Sequence, residues 1–182
     1  MDPTCDIVGT RELHRGAKFS FEQIELRTSA GVTFTRDVVR HPGAVVVLQV
    51  LETARGTEIV YIQNYRPAVG ETLVELVAGT LEPPEPPAEC AGRELIEEAG
   101  YRAGRIEPLG DFLTTPGLTD ERMYAFVARD LVQVDRAPEP GELMTVHSAP
   151  VSALLAMIDS GALRDAKSML TLLLARRAGV QA

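Results

Sequence analysis

Cysteine is scarce. Only Cys5 and Cys90 occur among 182 residues, at no spacing that suits thiolate metal ligands, so neither a disulfide framework nor a cysteine-held metal is expected. Histidine is equally sparse: His14, His41 and His147 are scattered, which argues against a zinc centre. Basic residues are in the minority, 18 Lys and Arg against 26 Asp and Glu, for a net charge of −8. Phosphate contacts dominate nucleic acid affinity, so nucleic acid is not expected as the main partner. A small phosphate ester bridged by metal stays compatible with that charge. The longest apolar run, around Ala44–Leu51, is too short to cross a membrane, and the N-terminus lacks the basic-then-apolar pattern of a secretory signal. The expectation is a cytoplasmic protein with no membrane contact.

What is present is enough apolar residue for a core, 45% of the chain, in a length that suits one domain with an appendage. The first forty residues read as short strands: one through Phe19, Phe21, Ile24 and Leu26, a turn at Ser29-Ala30-Gly31, then Val32–Val39. Two or three strands alone are marginal, so this segment needs a further surface, on the main domain or on a second chain. Ala44–Leu51 is a β-branched apolar run and reads as a central strand. Further strands are expected at Glu58–Gln63, Leu73–Ala78, Arg105–Phe112, Met123–Arg129 and Leu143–His147. Helices are expected at Pro150–Ser160 and Asp165–Ala178, the last ending in Arg176-Arg177 with Gly179 beyond. Strands mixed with helices in this order point to a layered α/β sandwich.

The most informative stretch is Gly79–Tyr101, GTLEPPEPPAECAGRELIEEAGY. Its second half is expected as a helix opening on Pro87 and closing at Gly100. At about 100° per residue, Glu94, Glu97 and Glu98 share one face, and Ala88, Ala91, Leu95 and Ala99 the adjacent one. Like charges this close cost about 0.2–0.5 kcal/mol per pair. A hard divalent cation turns that cost into a binding site. Gly79 is expected to permit a tight backbone turn, and Cys90 to be a small packing residue.

Taken alone, the carboxylates would be a solvated helix face. They are not alone. Gly79 stands six residues before Glu85, Glu85 eight before Arg93, and Arg93-Glu94-Leu95, Glu97-Glu98 and Gly100-Tyr101 follow. This resembles the Nudix box, Gly-x5-Glu-x7-Arg-Glu-apolar-x-Glu-Glu-x-Gly-apolar, at every fixed position. The resemblance implies a Nudix-like α/β/α sandwich with a mixed sheet: residues 1–40 as an N-terminal β segment used in dimerisation, with possible strand exchange, and 41–182 as the hydrolase domain.

Outside the box the chain resembles the ADP-ribose pyrophosphatase branch of that family. Gln63-Asn64-Tyr65-Arg66 matches its Gln-x-Tyr-Arg. Glu75-Leu76-Val77-Ala78-Gly79 matches its Glu-Leu-Pro-Ala-Gly, with Val77 in place of proline. Thr115–Glu121 matches its Ser-Pro-Gly-x-Thr-Asp-Glu loop. His41–Val45 and Asp165-Ala166-Lys167 extend the likeness. Each stretch alone has an ordinary reading as a solvated arginine, a strand-edge charge or a turn. Together with the box they imply Mg²⁺ or Mn²⁺ held by Glu94, Glu98 and the carbonyl of Ala78, with Glu97 completing the cluster and Arg93 and Glu85 bracing it. They further imply substrate contacts from Arg66, Glu75, Pro116, Gly117 and Glu121. Phe19 and Arg36 are candidates for contacts across a homodimer. The implied substrate is a nucleoside diphosphate sugar, ADP-ribose first and GDP-mannose as an alternative, with a catalytically inactive ligand-sensing module as a third reading. A ligand carboxylate is a poor base because the cation occupies its lone pairs, so a loop glutamate is expected to take the water's proton: Glu142, next to the Leu143–His147 strand, or else Glu139, with Glu97 and Glu121 next.

Overall fold

The polar N-terminal segment forms a three-stranded antiparallel sheet: β1 (Cys5–Arg15), β2 (Ser20–Thr28) and β3 (Thr33–Arg40), in the order β1-β2-β3. A computed structural model describes residues 4–138, 141 and 143–180 of the chain. β2 and β3 lie where the sequence expects them. β1 was not legible as a separate strand, because CDIVGTRELHR is almost entirely exposed and shows no in–out alternation. Backbone pairing with β2, from Cys5↔Thr28 to Arg15↔Ser20, holds it through two irregularities of register. Gln23 ties all three strands by accepting from Arg11 at 3.2 Å and donating to Asp37 at 3.0 Å. Leu113–Arg122 belongs with this sheet: Val39 N–H donates to the Leu118 carbonyl at 2.9 Å, and Arg40 donates to Asp120 at 3.0 Å.

The second unit, Ala44–Phe112 with Met123–Ala182, carries the larger sheet. Its centre is β4 (Ala44–Thr53), followed in the chain by β5 (Gly56–Arg66), β6 (Glu71–Glu75) and β7 (Val77–Thr80). After α1 (Pro87–Glu94) come β8 (Tyr101–Leu113), β9 (Arg122–Gln133), β10 (Met144–Ala149), α2 (Val151–Asp159) and α3 (Ala166–Arg177). The strand order is β10-β5-β4-β9-β8. The sheet is mixed, because β4 runs parallel to β9 but antiparallel to β5 and β7. β8 and β9 are longer than their apolar stretches suggested, since backbone pairing continues where side chains turn polar.

Alternation along β4 builds both faces of this sheet. Val46, Leu48 and Val50 pack with Leu154 of α2 and Leu172 and Ala175 of α3. Val45 and Val47 pack with Cys90 and Ala91 of α1 and with Leu95. Helices on both faces make the expected α/β/α sandwich. β4 also divides its partners along its length: Gln49–Thr53 pairs with β5, Ala44–Val47 with β7. The later part of β5, Ile62–Arg66, pairs with β6 instead. The β6–β7 segment therefore enters where β4 and β5 part, and this break positions the site.

The box helix departs from a single α-helix. α1 ends at Glu94, and Leu95–Ala99 continues as a wider, π-type turn, with the N–H of Gly100 reaching the carbonyls of Leu95 and Ile96. Such turns recur at functional sites. Ala88, expected on the packing face, is exposed, and Cys90 is buried there instead. Gly100 closes the turn with φ 73° and ψ 38°, the left-handed region that a side chain resists. A Cβ there would also meet the Arg136 side chain at 2.7 Å and the Val134 carbonyl at 3.0 Å. Gly100→Ala should therefore lower the unfolding free energy by about 1–2 kcal/mol. Urea denaturation checks this, and unchanged stability would remove the left-handed cap from the account.

Candidate active site

Glu98 and Glu94 meet β7 at Ala78 and Gly79, and Arg93 joins Glu94 to Glu97. Glu94 and Glu98 are buried, and Glu97 is partly exposed. Glu98 accepts from the backbone N–H of Ala78 at 3.2 Å. Gly79 was expected to serve a tight turn. It instead lies within β7 and shows no left-handed φ. Its function is space: a Cβ at Gly79 would stand 1.8 Å from the carboxyl carbon and Oε1 of Glu94. The glycine is a cradle for that carboxylate.

Arg93 sits among these groups. Nη1 donates to Glu94 Oε1 and to Glu97 Oε2, both at 2.8 Å, so those oxygens lie no more than twice that distance apart. Nε and Nη2 take both oxygens of Glu85 at 2.9 and 3.0 Å, and Nη2 also reaches the Thr80 carbonyl at 3.3 Å. Hydrogen bonds from Arg93 hold the Glu85 carboxyl below its ordinary range, and those bonds in turn raise the guanidinium further. Cys90 lies beneath, and burial pushes its thiol up to about 12, which suits the packing residue expected there. Among the described residues no three carboxylate, imidazole or thiol groups form a ready-made cage. The carboxylates fit a hard divalent cation by donor type, by crowding and by the space kept at Gly79.

A second ionic cluster sits at the strand break. Arg66, at the end of β5, donates through Nε and Nη2 to the two oxygens of Glu75 at 2.8 and 2.6 Å. Lys167 Nζ reaches Glu75 Oε2 at 2.6 Å and Asp165 Oδ1 at 2.9 Å. Burial raises the Glu75 carboxyl, but hydrogen bonds from Arg66 and the Lys167 charge outweigh it, and the carboxyl is held low. Glu98 lies within electrostatic reach of Arg66, which links this cluster to the first. Glu75 was expected to contact substrate. It is 1% exposed, and both its oxygens accept from Arg66. In the sequence Asp165 reads as the start of the last helix and, with Lys167, as part of a family likeness, and Ser168 carries no separate signal. The Asp-x-x-Ser spacing of a helix cap was the available signal.

Phe19, Arg36, Pro116, Gly117 and Glu121 belong to the first unit. Phe19 stacks on His41, ring centroids 4.7 Å apart. His41 faces Glu121 at 3.4 Å, and Glu121 accepts from Thr114. Burial lowers the His41 pKa, opposed by Glu121 and Asp120. Pro116 and Gly117 are exposed in the loop, and Arg36 lies over the Phe34 ring at 4.7 Å. Glu139 and Glu142, the expected bases, lie outside the described residues.

The sequence profile of the NUDIX domain matches residues 40–172. The chain belongs to the Nudix family. This Nudix hydrolase is 34% identical over 149 residues to the ADP-ribose pyrophosphatase of Bacillus subtilis, across 81% of this chain and 78% of that protein. It is 30% identical to the methanol dehydrogenase activator of Bacillus methanolicus, across 90% and 88% of the two chains. It is 32% identical to the GDP-mannose pyrophosphatase of Citrobacter koseri, across 75% and 78%. A crystal structure described as an ADP compounds hydrolase superposes with a TM-score of 0.82 over 95% of this Nudix chain and 92% of the other, at 21% identity, a likeness of fold. Among the described residues no helix is long and apolar enough to cross a membrane.

Glu75→Gln removes the charge that Arg66 and Lys167 share, and should lower stability by about 2 kcal/mol at neutral pH. Because the folded carboxyl titrates below its unfolded value of about 4.3, its contribution is complete above that pH. It is lost as pH falls through the lower folded value. Urea denaturation of both proteins across this range should show the gap between them closing in acid. A gap that does not change with pH would mean that Glu75 contributes by shape alone.

Proposed function

We propose that this Nudix chain hydrolyses the pyrophosphate bond of ADP-ribose to AMP and ribose 5-phosphate, with a divalent cation. The observation that carries the reading is the pairing of two clusters on one strand break: buried Glu94 and Glu98 beside Gly79, and Arg66 clamped by Glu75 within electrostatic reach of Glu98. The Bacillus subtilis relative, named ADP-ribose pyrophosphatase, supports the substrate.

In this reading Glu94, Glu97, Glu98 and the Ala78 carbonyl would hold Mg²⁺ or Mn²⁺. When bound, the cation would supply neutralisation of phosphate charge and a more acidic water. Arg93 fixes Glu94 and Glu97 from one side through Nη1. Arg66 engages Glu75 with Nε and Nη2, which leaves its Nη1 edge for the nucleotide. Water oxygen forms a bond to one phosphorus, the bridging P–O bond breaks, and the bridging oxygen leaves with the other phosphate. Glu142 takes the water's proton, with Glu139 as the alternative. The family likeness assigns sugar contacts to Glu121, Pro116 and Gly117. The 32% identity to a GDP-mannose pyrophosphatase supports a second substrate reading.

ADP-ribose and GDP-mannose should be assayed side by side, with product chromatography. AMP should appear only with added Mg²⁺ or Mn²⁺. Glu98→Gln should lower turnover about a hundredfold or more by removing a charged ligand. Glu142→Gln should lower kcat while leaving KM and the metal requirement close to wild type. Faster turnover of GDP-mannose would reassign the substrate. Equal turnover after exhaustive chelation would end the metal reading.

The assembly proposed is a homodimer in which a second copy covers the N-terminal sheet. That sheet and its turns expose Ile7, Val8, Leu13, Phe19, Phe21 and Val32, and so few strands alone are marginal in water. Phe19 and Arg36 then contribute contacts to the partner's substrate. Light scattering at micromolar concentration should give twice the 19.7 kDa chain mass. A fully active monomer contradicts the assembly.

A further inference from the structure

We propose that the first turn of α3, Asp165-Ala166-Lys167-Ser168, is a positioning element for Arg66. Lys167 fixes Glu75, Glu75 orients the guanidinium, and Ser168 pins the same strand break at Leu76. This rests on the role of Arg66 proposed above.

The geometry has three parts. Lys167 Nζ lies 2.6 Å from Glu75 Oε2, the oxygen that also accepts from Arg66 Nη2 at 2.6 Å. One buried carboxylate thus bridges two cations, one on the strand and one on the helix. Lys167 is itself held by Asp165 Oδ1 at 2.9 Å, and its side chain is 14% exposed. Asp165 Oδ2 in turn accepts from the Ser168 N–H at 3.0 Å and from the Ser168 hydroxyl. That hydroxyl oxygen accepts the Leu76 N–H at 2.7 Å, with Ser168 fully buried.

Helix capping accounts for Asp165 and for part of Ser168. It does not account for Lys167. A cation in the first turn opposes the helix dipole, and burying most of its stem and head adds a desolvation cost. Glu75 offsets both. A lysine needed only for solubility would point to water, and this one points at the carboxylate that clamps Arg66. The same turn fixes residues 75 and 76, immediately before the β7 strand that carries Ala78 and Gly79. The element therefore sets the guanidinium through Glu75 and the start of β7 through Leu76.

The test uses the full chain with ADP-ribose and saturating Mg²⁺. Lys167→Met should raise KM about tenfold, the effect of loosening one charge-assisted contact. The metal concentration for half activity should stay at the wild-type value. Lys167→Arg should recover most of the loss. In an Arg66→Ala background, Lys167→Met should add little further change in KM, because the lysine acts through the arginine. Thermal unfolding is followed for each variant, since a purely structural lysine would lower the midpoint and leave KM alone. If Lys167→Met does not fold, Lys167→Gln, which keeps length and a donor without the charge, takes its place. A raised KM in Arg66→Ala with a normal KM in Lys167→Met overturns the inference alone, as do additive effects in the double variant. A normal KM in Arg66→Ala overturns the proposed role of Arg66, and the inference falls with it.

Discussion

Negative charge held against a strand end is the constraint on which the site depends. Glu94 and Glu98 are buried carboxylates on one short helical segment, an arrangement that desolvation and mutual repulsion both oppose. The protein meets that opposition with specific partners. The Ala78 N–H donates to Glu98, Arg93 donates to Glu94 and Glu97, and the missing side chain at Gly79 leaves room for Glu94. A methyl group at Gly79 has no place to go without moving the carboxylate that the site is built around.

The guanidiniums of Arg93 and Arg66 perform different tasks. Arg93 is bound on several sides, by Glu85, Glu94, Glu97 and the Thr80 carbonyl, and acts as a hub that holds the box loop to the helix. Arg66 is clamped along one edge by Glu75, and its side chain remains 40% exposed. A guanidinium fixed on one edge has already lost much of its rotamer freedom. The splitting of β4 between β5 and β7 places these two groups on one break in the sheet.

Much of this was legible in the chain. The β-branched run at Ala44–Leu51 is the central strand because a strand covered on both faces needs apolar residues throughout, and Val45–Leu48 are all buried. Spacing in the box located Gly79, Glu85, Arg93 and the three glutamates, and Asp165 and Gly179 marked the ends of the last helix. Other features were not legible. β1 lacks a buried face, so nothing in its side chains announces a strand. The widening after Glu94 does not alter which residues are present, only how many complete a turn. Glu75 reads as a strand-edge charge because burial of a charged residue depends on partners distant in sequence, here Lys167, ninety-two positions away.

The sequence by itself determined the chemistry available: hard oxygen donors at fixed spacing, an arginine after the second long strand, and the alternation that builds a two-faced sheet. Those follow from covalent order and local periodicity. Only the tertiary structure decided that Gly79 serves space rather than a turn, that Glu75 holds Arg66, and that the first turn of α3 reaches back to the same strand break. Each is a contact between segments far apart along the chain. Such contacts are selected by packing and desolvation in the folded state, and no local pattern encodes them.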